Sequence, residues 1–553
     1  QMIKNNGLRI YTTMNSRIQK VAEKEFTNNA NFPNVAGLKK DGAKNILNSA
    51  GNILLYNYDN YFNAEGTFAL NTDEYQTASD GGMILLKGKR LNFYKIEVQG
   101  QTDYNIEFKD MYILQDKVFY AIKGGVINIP QKYKSKDNDG NLVISGQFFT
   151  DYPDFFRFAG QGVSLAKTYD LKDGTVQNTY TLKQKVVQPQ SAMVIYDYKN
   201  GGIKAMVGGR NIEGRLLFNR AVKPRQPGSA IKPMGVYGPA LQIGIDKANS
   251  GTANTSSEGN SYGALWTAAS VIDDAPLTIQ GKLWPKNWYS GYRGLNTMRQ
   301  SIEQSINVNA VKVFSEIGIQ TSLSFLKKLG VSTIVESGDV NDMNAAALAL
   351  GGMSRGVSPL EMVAGYGAFA NQGYYTEPIA YTKVTNKKGE IILENAAAKT
   401  KVMDEGVAFI MTDMLRSTVT SGIAKSAAIG SHPVAGKTGT TSDNYDAWFV
   451  GFTPNLAASV WIGNDVNIEL SQGSASAAKI WSKIMKQVHE GLPTGSFPTA
   501  SDVVSVAIDT KSGRLPSELS ALDPRDNTVR NEYFIKGTEP TTVDNVHVAV
   551  NIC

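Results

Sequence analysis

One cysteine stands among 553 residues, and it is the last of them, Cys553. No intrachain disulfide can form, and no thiol–imidazole pair is available inside a fold. Histidine is almost as scarce. His432, His489 and His547 fall in no H-E-x-x-H or Cys/His ligand spacing, so no metal and no cofactor is expected. No run approaches the roughly 18 apolar residues of a membrane helix, and no signal-peptide pattern stands at the N-terminus. A strong charge of either sign is missing too. The 56 Lys and Arg against 50 Asp and Glu leave +6, spread along the chain. Nucleic acid is therefore not implied; so mild a basic balance suits an anionic surface or plain solvation. A G-x-S-x-G elbow is absent, and no histidine lies near a candidate serine, which argues against a Ser-His-Asp hydrolase.

What is present describes a globular chain, 42% hydrophobic and 19% charged, whose 53 glycines and 25 tyrosines favour strands and turns among its helices. Its length exceeds one core, and three or four units are expected. In residues 1–35 the alternation of "GLRIYTTM" predicts a strand. The spacing of Ile18, Val21, Ala22 and Phe26 then predicts a helix, capped by Asn15 or Ser16. Residues 36–187 turn β-rich, with runs such as "KVFYAIKGGVINI" between Gly, Asn and Asp turns. Within them "SKDNDGN" resembles a calcium loop, but Ser135 holds the first ligand position and Gly146 the twelfth. A hairpin turn at Asp139-Gly140 is the better reading. Residues 188–496 open with two alternating strands joined across Asn200-Gly201, pass through helical stretches, and return to strands at "DAWFVGFTP" and "AASVWIGND". This predicts an α+β unit whose sheet takes its edge strands from both ends of the region. Residues 497–553 read as a small β-rich appendage.

Three short elements carry the chemistry. In "RQPGSAIKPM", Pro227-Gly228 prepares a tight approach, and Ser229 begins a helix whose free N–H groups favour developing negative charge. Lys232 stands one turn along on the same face and could take the serine proton if it were neutral. Burial or a second cation, with Lys437 as the candidate, would make it so. Ser305 and Asn307 in "QSINVNAV" offer a proton relay and an amide for a peptide substrate, or else are polar residues on a packed helix. "GKTGTT" invites a phosphate-loop reading, but the leading glycine is one residue out of place and a strand follows instead of a helix. As the end of a strand, Lys437-Thr438-Gly439 with Thr440 would grip a carboxylate, and the Thr440 N–H could join that of Ser229 around an oxyanion.

The order Ser-x-x-Lys, Ser-x-Asn, Lys-Thr-Gly resembles the active-site set of penicillin-binding proteins and serine β-lactamases. The flanks "FNRAVKPRQPGSAIKP", "ALGGMSRGVSPLEMVAGYGAFANQG" and "AGKTGTTSDNYDAWFVGFTP" are similar to the class A penicillin-binding proteins over 188–495, as are the opening and closing pieces. The resemblance implies a penicillin-binding, β-lactamase-like transpeptidase domain, an antiparallel sheet flanked by helices. It implies a serine D,D-transpeptidase that cross-links peptidoglycan stem peptides through Ser229 and is acylated by β-lactams. Lys232 would be the base, Ser305 the relay, Asn307 a substrate partner, and Lys437, Thr438, Gly439 and Thr440 the carboxylate clamp. A D,D-carboxypeptidase or a noncatalytic β-lactam sensor or scaffold would use the same residues. A class A β-lactamase is disfavoured, because no Glu-x-x-x-Asn follows the second element; Glu336 is followed four residues on by Val340. The family's glycosyltransferase half is not seen here. A membrane anchor is expected upstream, with catalysis on the extracytoplasmic face of a bacterial cell membrane. The 36–187 module, an OB-like barrel by expectation, suits scaffolding or other cell-wall synthesis proteins.

Overall fold

The computed structural model describes all residues except 1–6, 63–67, 99, 125, 128, 153–155, 160–161, 166–184, 212–217, 252–265 and 550–553; Cys553 lies outside the described residues. Where the sequence suggests four segments, contacts divide the chain into two units. One comprises 1–33, 190–464 and 470–553, and the other 34–189 with 465–469.

Five strands form the sheet of the first unit: β1 (Gln190–Asp197), β2 (Gly202–Val207), β3 (Ala435–Thr440), β4 (Asp446–Phe452) and β5 (Ala457–Gly463). Their order is β2-β1-β5-β4-β3, and every pair is antiparallel. The two strands joined across Asn200-Gly201 are expected to alternate, yet β1 is buried at every residue but Asp197; β4 and β5 are buried throughout. Helices cover both faces, so apolar residues are required on each. Val194, Tyr196, Trp448 and Trp461 join one core, while Ile195, Phe449, Val460 and Ile462 join the other.

The helices that matter here are α1 (Ser16–Thr27), α2 (Gly238–Asn249), α3 (Met298–Glu303), α4 (Asn307–Ile317), α5 (Pro359–Ala370), α6 (Glu405–Thr420) and α7 (Ala475–Val488). Asn15, not Ser16, caps α1: its side-chain oxygen accepts from the Arg17 and Ile18 N–H groups, each at 3.1 Å. Ile18, Ala22 and Phe26 turn into the core shared with Trp481 of α7. The strand Arg9–Thr12 pairs with Tyr381–Thr385. The C-terminal strands Val503–Asp509 and Val529–Ile535 form a hairpin within the same unit, where Arg299 of α3 pairs with Glu532 at 2.5 Å and with Asp413 at 2.7 Å. His547, in no ligand spacing along the chain, lies in space beside Asp544 (2.9 Å), Asp523 (3.2 Å) and Asp509 (3.4 Å). Burial alone would lower its pKa, but the hydrogen bonds to Asp544 and Asp523 outweigh that and raise it.

In the second unit the described strands do not make one five-stranded barrel. They fall into separate sheets of six, three, four and three strands, with one parallel pairing, of Met111–Gln115 on Ile53–Asn57. Tyr58, Tyr61, Phe62, Phe108 and Phe148 belong to one buried cluster of this unit. The calcium-loop candidate is a hairpin joining Lys134–Lys136 to Leu142–Ile144. There the Asp137 carboxylate accepts from the Asp139 and Asn141 N–H groups.

Ser229 lies on a short 3₁₀ turn, Gly228–Ile231, followed by a π-helical turn, Pro233–Tyr237, and only then by α2. The simple helix start expected from sequence is replaced by three geometries in series, because Pro233 has no N–H to donate inside the second turn. This turn packs on the edge strand β3. A Cβ on Gly439 would meet the Pro227 carbonyl oxygen at 2.2 Å and the Ala230 Cβ at 2.9 Å. Gly439→Ala is therefore expected to destabilise the fold by about 1–3 kcal/mol through overpacking and to move the Ser229 turn off the strand, checked by chemical denaturation and by the reactivity of Ser229.

Candidate active site

Four contacts fix the Ser229 turn. The Tyr366 hydroxyl of α5 donates to the Ala230 carbonyl at 2.6 Å, and the Trp448 indole N–H of β4 donates to the Gln226 carbonyl at 2.8 Å. Arg225 pairs with Asp446 at 2.9 Å, and the same carboxylate oxygen accepts from the Trp461 indole at 2.8 Å. The Ser229 hydroxyl is half-buried and makes no hydrogen bond among the described residues.

Lys232 is fully buried and points at the junction of α3 and α4. Its Nζ donates to the Asn307 Oδ1 at 2.6 Å and to the Ser305 carbonyl at 2.9 Å, with the Ile306 carbonyl at 3.3 Å and the Ser305 Oγ at 3.4 Å. Ser305 itself adopts φ +55°, a left-handed conformation that is uncommon for a residue with a side chain. That turn lets one residue present both its carbonyl and its hydroxyl to Lys232. From the opposite side Lys437 of β3, also fully buried, donates to the Ser305 Oγ at 2.8 Å and to the Thr438 carbonyl at 3.1 Å. The three distant elements thus meet at one hydroxyl.

Burial and proximity set the charges. Burial lowers Lys437 from 10.5 to about 7. Burial lowers Lys232 well below 10.5, and the neighbouring Lys437 charge lowers it further. Both effects favour the uncharged amine at Lys232 over the ammonium.

Ser229, Asn307 and Thr440 line a cleft of about 400 Å³, together with Trp284, Pro285 and Lys286. Lys232, Ser305, Lys437 and Thr438 are buried residues behind it. Among the described residues no carboxylate lines this cleft. Gly439, expected among the substrate-binding residues, is also where β3 approaches the Ser229 turn too closely for a side chain. Thr440 Oγ1 accepts from the Ser474 N–H at 3.3 Å.

One positioning residue was invisible in the sequence. α4 has no capping side chain of its own, and Asn287, twenty residues before Asn307, takes that part. Its Oδ1 accepts from the Asn307 and Val308 N–H groups at 2.9 and 3.2 Å, and its Nδ2 donates to the buried Asp274 at 2.8 Å. The Asn307 amide returns a hydrogen bond to the Lys286 carbonyl at 2.8 Å. No spacing rule covers a cap supplied from elsewhere in the chain. Asn287→Ala should cost about 0.5–2 kcal/mol, as for other lost caps, and should speed hydrogen exchange at the Asn307 and Val308 amides.

A second expectation concerns Lys437. The unfolded chain keeps its proton up to about 10.5 and the folded chain only to about 7, so stability rises with pH across that window and the burial cost is full below it. That cost is on the order of 5 kcal/mol. Lys437→Met should raise the Tm at pH 7, with the gain shrinking towards pH 10, as read by thermal melts along a pH series.

Comparison with known proteins agrees with this architecture. Residues 261–486 match the penicillin binding protein transpeptidase domain, and residues 499–549 match the penicillin-binding protein 1A C-terminal domain. Penicillin-binding protein 1A of Clostridium botulinum is 39% identical over 504 residues, which are 85% of this chain and 57% of the relative. That of Aquifex aeolicus is 35% identical over 360 residues, 64% and 44% of the two chains. The chain spans about half the length of these curated relatives. The crystal structure of penicillin-binding protein 1A from Haemophilus influenzae covers 98% of this chain and 75% of its own at a TM-score of 0.58 and 22% identity, a likeness of fold. The chain belongs to the class A penicillin-binding proteins, and what it carries of them is the transpeptidase portion.

Proposed function

We propose that this chain is a serine D,D-transpeptidase acting on peptidoglycan stem peptides and acylated by β-lactams, with Ser229 as the nucleophile. The observation that carries the reading is the Ser305 Oγ held between two buried amines, 2.8 Å from Lys437 and 3.4 Å from Lys232.

In this mechanism the neutral Lys232 takes the Ser229 proton as the oxygen attacks the carbonyl between the two terminal D-alanines. The N–H groups of Ser229 and Thr440 stabilise the oxyanion. Lys437, in its protonated form below about pH 7, holds the Ser305 oxygen as acceptor. The hydroxyl hydrogen is then free to pass towards the leaving amine while Lys232 resupplies it. Asn307, at the cleft wall, bonds the substrate backbone, and Lys437 with Thr438 and Thr440 attracts the terminal carboxylate. Loss of D-alanine leaves an ester on Ser229, which the amine of a neighbouring stem peptide resolves. A cleft without a described carboxylate offers no acidic side chain to drive water onto that ester, which favours a long-lived β-lactam adduct over hydrolysis. Residence on the extracytoplasmic face of a bacterial membrane belongs to the same reading.

Ser229→Ala should abolish covalent labelling by a fluorescent penicillin while the protein stays folded; persistent labelling would dismiss Ser229 as nucleophile. Lys232→Ala should slow acylation by about 2–4 orders of magnitude, the usual share of general-base catalysis. With stem-peptide substrates, cross-linked dimers are expected. Release of D-alanine without dimers would make water the acceptor and the enzyme a carboxypeptidase.

A further inference from the structure

The second unit contains a cleft of about 620 Å³ that plays no part in the chemistry above. Its volume is in the range that holds small ligands. The lining combines three kinds of group. Tyr56 and Phe93 are half-buried and offer ring surface at the wall. The floor is rigid: the Arg90 guanidinium grips Glu74 through two bonds, at 2.7 and 2.5 Å, donates to the Asn60 carbonyl at 2.6 Å, and lies 5.6 Å over the Tyr61 ring. Lys87, Lys89, Arg90, Lys109 and Lys136 also line the cleft, against Asp73 and Glu74.

Pairing decides which of those cations are available. Arg90 is neutralised by Glu74, Lys89 by Asp73 at 2.8 Å, and Lys109 by Glu107 at 2.8 Å. Lys87 and Lys136 are different: both are exposed, and among the described residues neither has a carboxylate partner. Both belong to the same corner. The Lys87 backbone N–H donates to the Asn141 side chain at 2.9 Å, and a Cβ on Gly140 would lie 3.5 Å from the Lys87 Nζ. Lys136 enters the same hairpin, its Nζ 4.8 Å over the Tyr104 ring. Two uncompensated positive charges thus flank a pocket with aromatic walls and a fixed polar floor.

We infer that this cleft binds a short anionic saccharide, its sugar face against Tyr56 or Phe93 and its carboxylate or phosphate on Lys87 and Lys136. Flat carbon-rich ring faces suit the half-buried aromatics, and an anion is attracted by two lysines that no carboxylate pairs. An acidic peptide fits less well, because the groups offered are side chains and turns and not an open strand edge for main-chain pairing.

The test uses the full chain and three probes: a disaccharide-tetrapeptide muropeptide carrying carboxylates, a glycerol-phosphate oligomer bearing sugars, and neutral chitotriose. One anionic probe is expected to bind by calorimetry, and which one identifies the source of the charge. Affinity should fall with added salt and by about tenfold or more in the Lys87→Gln/Lys136→Gln double variant, the scale of lost charged hydrogen bonds. Penicillin labelling of Ser229 should be unchanged in that variant, which separates this site from the proposed active site. Equal binding of chitotriose, binding indifferent to both substitutions, tighter binding of a Glu-rich peptide, or no binding of any probe would each overturn the inference.

Discussion

Two ammonium groups cannot both stay charged beside one buried hydroxyl, and the organisation of the site follows from that. Burial removes the water that would stabilise either charge, and proximity makes the second charge dearer than the first. The pair therefore separates in proton affinity, with Lys437 titrating near 7 and Lys232 well below its usual range. Such a split gives chemically identical side chains different proton affinities, the condition for the acid and base parts proposed above. Neither lysine needs histidine or metal to be useful near neutral pH, in keeping with a chain of three histidines.

Holding that arrangement demands strain and close approach, and the fold supplies both from outside the motifs. Ser305 keeps an unfavourable backbone conformation because α3 and α4 are each anchored: Thr297 and Gln300 form a capping box at one, and Asn287 caps the other. The Ser229 turn is held by a tyrosine, a tryptophan and an ion pair drawn from α5, β4 and the segment ahead of the turn. Removing such supports would leave every motif residue present and the geometry gone.

How much of this was readable beforehand depends on the range of the signal. The α1 periodicity and the Asp139-Gly140 turn are local patterns, and each fell where spacing placed it; the Ser-x-x-Lys, Ser-x-Asn and Lys-Thr-Gly elements are local too, but Ser229 lies on a 3₁₀ turn and not at a simple helix start. Sheet order and two-sided burial were not local; β1 departs from the expected alternation because helices lie on both faces. The His547 cluster joins residues 509, 523, 544 and 547, so a search for ligand spacing passed over it. Asn287 was missed for the same reason. In the second unit the composition declared strands, but not how they would divide among small sheets.

Lys437 owes its position to arithmetic of the simplest kind. On β3 successive side chains point to opposite faces, and Gly439, two places on, shares its side with Lys437 against the Ser229 turn. Shift the β3–β4 pairing by a single residue and threonine would arrive where the amine belongs, in a sheet still fully hydrogen-bonded. The short connection from Thr441 to Tyr445 thus acts as a ruler, whose length selects which atom reaches the serine pocket.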